Sequence, residues 1–142
     1  MKIILILVVI LFTNSAFAAN KTAEDLVRNG LHAYKTGGAR AAIEAWIKDS
    51  GIEGSKEALS QANTLRQVED FYGTYESYEI VKTHKISKRS TSLQFVMNFD
   101  KGVAYVIFQA YKTKGGIWIA TQFKFHTEAA QVWPISDVYG SK

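Results

Sequence analysis

From Thr22 onward the apolar positions recur with a helical period. Leu26, Val27, Leu31 and Tyr34 form one stripe behind Thr22-Ala23-Glu24-Asp25, where Thr22 can cap and Asp25 stands three residues on. Gly37-Gly38 stops this helix. A second, over 39–49, puts Ala42, Ile43, Trp46 and Ile47 on one face, and Gly51 and Gly54 break the chain behind it. Ser55 caps a third, with Leu59, Ala62, Leu65 and Tyr72 as its buried stripe and Gly73 at its end. Three N-terminal helices are therefore expected.

At Tyr75 the period falls to two. Alternation predicts strands at about 75–82 (extending toward Ile86), 91–99, 103–111 and 117–126, and connections this short make them an antiparallel meander. Asp100-Lys101-Gly102 and Thr113-Lys114-Gly115 both read as three-residue hairpin loops closed by a glycine at positive φ. Phe99 then lies opposite Val103, and Lys112 opposite Gly116. The pleat sorts Phe95, Met97, Tyr105, Ile107, Ile119 and Phe123 onto a core face, and Val96, Ala104, Val106, Phe108, Ala110 and Trp118 onto the other. An outward face with that apolar middle needs a cover. Either the C-terminal tail folds back with Val132, Trp133 and Ile135, or a second copy of the chain docks through Val96, Val106, Phe108 and Trp118.

The N-terminus changes where this domain is expected to be. Lys2 precedes an apolar run over 3–12, and Ala16-Phe17-Ala18 fits the small-x-small pattern read by signal peptidase. The run is about half of the roughly 20 residues a spanning helix needs. Residues 1–18 thus read as a signal peptide cleaved between Ala18 and Ala19. The remainder, 19–142, is one domain, exported to the bacterial periplasm and not membrane-spanning.

Composition narrows the chemistry. The chain has 142 residues, 47% apolar and 13% aromatic, with a single proline, which is the make-up of a folded domain. The absence of cysteine excludes disulfides, zinc-thiolate sites and a Cys nucleophile. Seventeen Lys and Arg against 13 Asp and Glu give a net charge of +4, too weak to argue for nucleic acid.

Helices with a Trp on the second, followed by a four-stranded meander, resemble the NTF2-like (cystatin-like) α+β superfamily. The resemblance is carried by Phe71-Tyr72-Gly73-x-Tyr75, Asn98-Phe99-Asp100-Lys101-Gly102, Phe108-x-x-Tyr111-Lys112, Gly116-x-Trp118, Phe123-x-Phe125-x-Thr127 and Pro134. Together these look like a group of small secreted bacterial proteins of that fold whose activity is uncharacterised. The resemblance implies a curved sheet wrapped around a helix into a cone. In different members the mouth of the cone binds a small molecule, houses an enzyme site or stays a structural cavity, and many members dimerise through the outer sheet face. This chain has no strand hairpin between its first helices, so an activity does not come with the fold.

Little else in the sequence carries chemistry. His32, His84 and His126 share no metal-ligand spacing, no Gly-x-Ser-x-Gly occurs, and the glycine pairs lack a following Lys-Ser/Thr, so neither a metal nor a cofactor is expected. Glu69, Asp70, Glu76 and Glu79 lie among Tyr72, Tyr75 and Tyr78, the residue types an acid–base site uses. Lys82, His84, Lys85, Lys88 and Arg89 form a basic run suited to an anionic surface. The leading expectation is a non-enzymatic binding or structural module, holding a small apolar ligand in the cone against Trp46, Tyr72, Phe95, Tyr105 and Phe123. The alternatives are a homodimeric interaction module and a small hydrolase or isomerase with a Tyr–carboxylate site.

Overall fold

The computed structural model describes residues 20–141. The expected signal peptide lies outside them. Helix α1 spans Ala23–Ile47 and helix α2 Lys56–Tyr72; strands β1 (Tyr75–Ser87), β2 (Ser90–Phe99), β3 (Gly102–Lys112) and β4 (Trp118–His126) follow, then a 3-10 turn, Ala129–Gln131, and the short helix α3, Ile135–Tyr139. The class is α+β, with an open antiparallel sheet ordered β1-β2-β3-β4.

Thr22 and Asp25 close a reciprocal capping box at the start of α1, and the Ser55 hydroxyl accepts from Ala58 N–H at the start of α2. Residue Gly38 interrupts α1 at φ 77°, in the region that glycine alone enters without strain. The two parts of α1 fold against each other there, because Trp46 Nε1 donates to Val27 O at 3.1 Å. The expected set of three N-terminal helices is thus two long helical stretches, the first broken at Gly38, and the third helix is C-terminal.

The β2–β3 turn corrects the expected sheet register. Phe99 pairs with Gly102, not Val103, so the loop is the two residues Asp100 and Lys101. Tertiary contacts hold it that way. Asp100 N–H donates to Thr74 O and Lys101 N–H to Tyr72 O, while Asp100 Oδ2 accepts from Thr74 N–H at 2.8 Å. Gly102 is required for close approach, since a Cβ there would stand 2.4 Å from the Tyr72 ring.

One residue of slip turns every β3 side chain over. Ala104, Val106, Phe108 and Ala110 face the helices, and Tyr105 and Ile107 face outward. Lys112 pairs with Trp118 instead of Gly116, a shift of two that leaves the parity of the pairing unchanged, so Trp118 and Ala120 turn inward with β3. Thr121 is then a bulge: Gln109 pairs with Gln122 but Ala110 with Ala120, which restores Phe123 to the core. Val106, Phe108 and Trp118, expected at an outer interface, are therefore core residues. Of that set only Val96 belongs to the outer face, where it is 9% exposed.

The core is an aromatic cluster. Trp46 lies 6.1 Å from Phe95, 5.6 Å from Phe108 and 5.8 Å from Phe123 between ring centroids, and Trp46, Phe95 and Phe108 are fully buried. The tail covers part of the outer face. Trp133 packs edge-on against Tyr105 at 5.1 Å and donates its indole N–H to Val106 O at 2.9 Å. Ile135, expected to fold back with it, is 61% exposed.

Candidate functional site

The aromatic residues expected to line an apolar pocket do not converge on one. Trp46 and Phe95 are sealed in the core cluster, Phe123 joins them from β4, Tyr72 packs over Gly102, and Tyr105 lies on the opposite face beneath Trp133. Phe123 lines a pocket of about 310 Å³ beside Ser55 and the Thr121 bulge.

The tyrosine–carboxylate pairing takes an unexpected form. Tyr34, on α1, donates its hydroxyl to Glu69 Oε2 on α2 at 2.5 Å and meets the Tyr75 ring at a tilt of 60°, 4.8 Å between centroids. Burial, then the bond to Glu69, pushes the Tyr34 hydroxyl far above its ordinary range; burial, then the neighbouring Tyr78, pushes Tyr75 up to about 12. Both hydroxyls stay protonated at neutral pH. Tyr34 is 3% exposed, and its bond to the half-buried Glu69 ties the two helices together. Asp70 pairs with Arg66, and Glu76 and Glu79 are exposed.

A different constellation forms on the outer face. The bulge at Val81 in β1 places Lys82 opposite Gln94, and His84 opposite Ser92. Pro134 and Asp137 arch over them from the tail, enclosing with Ile107 a cleft of about 290 Å³. Two donors hold Asp137: Gln94 Nε2 reaches Oδ2 at 3.0 Å, and Lys82 Nζ bridges both oxygens at 3.1 Å. These bonds, Gln94's first, hold the Asp137 carboxyl below the usual carboxylate range.

Gln94 is 7% exposed, and its Oε1 accepts no hydrogen bond from the described residues. A buried acceptor left alone costs about 1–3 kcal/mol. Larger grooves of about 560 and 500 Å³ run along α1, one reaching Ile117 and Trp118 and the other reaching α2. Neither is lined by a buried side chain with an unmet polar atom.

Chemically the cleft offers an amide acceptor, a serine hydroxyl, an imidazole and an ammonium group. Asp137 bonds to Lys82 and Gln94 and not to His84, so the carboxylate–imidazole contact of a serine triad is not made. Among the described residues no His, Asp and Glu cluster is suited to a metal. Comparison with protein-family models, curated proteins and solved structures returns no match. Of this site, the sequence points to Lys82 and His84 as part of a basic run, to Pro134 through the family resemblance, and to Ile107 on the face expected to be core. Ser92 and Gln94 look like ordinary polar positions of an alternating strand, and Asp137 is brought to them by the tail.

Proposed function

We propose that the protein is an exported, non-enzymatic binding module of NTF2-like build, whose ligand sits in the outer-face cleft beneath Asp137. The N-terminal sequence supports export, and the helix-then-meander order supports the NTF2-like reading. The observation that carries the binding assignment is the unmet, buried acceptor Oε1 of Gln94, a residue that lines the cleft. A ligand N–H or O–H there would satisfy a buried group that the protein itself leaves unpaired. Lys82 and His84 at the rim favour a ligand with an acidic group, and Ser92 adds a second hydrogen-bonding partner. The ligand is therefore small and polar, since the aromatic core offers no open lining to an apolar one.

The test is native against denaturing mass spectrometry on the protein exported from cells expressing the full sequence. Extra mass in the native spectrum that disappears on denaturation, and is missing from Gln94→Leu, supports the reading. Bare native mass, together with no shift of the Gln94 side-chain amide resonances when N-acetylglycine (one acidic group, one N–H donor) is titrated in, overturns it.

A further inference from the structure

The molecule is charged unevenly along the strand direction. The β1–β2 turn and the β3–β4 connection lie at the same end of the sheet, because Ser90 pairs with Tyr111 and Lys112 with Trp118. Lys85, Lys88, Arg89, Lys112 and Lys114 meet there. Arg89 spans the gap between the two connections, donating Nε to Lys112 O at 2.7 Å and lying over the Tyr111 ring at 4.7 Å. Lys21 joins them, since Trp118 N–H donates to Asn20 O at 3.3 Å. None of these cations forms an ion pair among the described residues. Glu24 and Asp25 are held by Thr83, Thr22 and Arg28, while Glu44, paired with Arg40, and Asp49 line the groove that reaches Ile117. Glu69, Asp70, Glu76 and Asp100 lie at the opposite end, about the α2–β1 junction and the β2–β3 turn.

Two apolar side chains break the surface at the basic end. Ile86, in the irregular last turn of the β1–β2 ladder, is 53% exposed beside Lys85, and Ile117 is 46% exposed just before β4. Cations around protruding aliphatic groups are the arrangement that holds a protein on an anionic bilayer, the charges at the headgroups and the apolar tips below them.

We infer that this basic end is a docking surface for an anionic lipid bilayer, with the sheet standing end-on to the membrane. Each Lys or Arg near an anionic surface is worth roughly fivefold in binding constant, so the Coulomb attraction of this end carries the association and falls with salt. The inference stands apart from the outer-face cleft.

Vesicle co-sedimentation of the exported protein tests it, with 30% phosphatidylglycerol in phosphatidylcholine against phosphatidylcholine alone. The expected result is binding to the anionic vesicles only, weakened by added salt. The triple variant Lys85→Gln, Lys88→Gln, Arg89→Gln should bind on the order of 100-fold more weakly. Lys35→Gln, on exposed α1 away from this end, should bind like the wild type, and matching circular dichroism establishes that the variants are folded. Equal binding to neutral vesicles, as an uncleaved leader would produce, overturns the inference. So does undiminished binding by the triple variant. Capture on immobilised polyphosphate without binding to vesicles would reassign the surface to a soluble polyanion and also overturn it.

Discussion

A methyl group on Gly30 would stand 1.9 Å from Trp46 Nε1, the same atom that donates to Val27 O. The indole lies flat on the backbone of the first part of α1, and only a residue without a Cβ permits that approach. This contact, with the break at Gly38, lets Trp46 reach Phe95, Phe108 and Phe123.

Gly30→Ala should therefore be among the most damaging small substitutions in the chain. Overpacking commonly costs about 1–3 kcal/mol, and the rigid, hydrogen-bonded indole has little room to yield, so the upper end or beyond is expected. Urea denaturation measures it. In a double-mutant cycle with Trp46→Leu the two effects should be strongly non-additive, because the smaller side chain vacates the space that the methyl needs.

Phe108 and Tyr105 separate the two faces of β3. Phe108→Ala opens a cavity in the aromatic cluster and should cost about 3–5 kcal/mol. Tyr105→Ala loses only a partly buried ring against Trp133 and should cost distinctly less. Light scattering should give the same mass for Phe108→Ala and the wild type, since the side chain is internal. A change of oligomeric state at tolerable stability would contradict that placement.

Alkaline pH should weaken the fold through Tyr34 and Tyr75. Both hydroxyls have folded-state pKa values raised above the ordinary tyrosine value near 10, so the unfolded chain gives up these protons first. Their stabilising contribution is whole below pH of about 10 and is lost as pH rises from there, through about 12 for Tyr75 and beyond it for Tyr34. Tyr34→Phe should flatten this loss and cost about 1–2 kcal/mol at neutral pH, where Glu69 is left without its donor. Unfolding midpoints across the alkaline range provide the check.

Asp137 should make the tail pH-sensitive in the opposite sense. Its folded-state pKa is depressed, so what it contributes is present above the ordinary carboxylate range and is lost as pH falls below it. The Trp133 indole N–H resonance should move as Asp137 takes up its proton. In Asp137→Asn that acid-dependent movement should vanish. Movement unchanged in this variant would separate the C-terminal tail from the Lys82–Gln94 contact.

Much of the architecture is legible along the chain, because helix and strand periods depend on neighbours three, four or two residues away. The capping pair Thr22–Asp25, the stop at Gly38, the change of period at Tyr75 and all four strands can be read this way. The faces of β3 cannot. They depend on whether the turn after Phe99 has two residues or three, and Asp-Lys-Gly suits both. Contacts to Thr74 and Tyr72, from a segment about 26 residues earlier, decide between them. Within a period of two, that single residue exchanged Phe108 with Tyr105, so the expected interface became core.

The candidate sites divide in the same way. The basic run of β1 is visible in the sequence, yet its union with Lys112 and Lys114 is made by the β2–β3 pairing. The cleft is less visible still, since Lys82 and Asp137 are 55 residues apart and Gln94 comes from a third element. Local order in the chain thus determined which elements form and where they stop. Which side of the sheet is core, which glutamine is buried without a donor, and which cations share one end followed only from the folded chain, because each depends on atoms that sequence neighbours do not bring together.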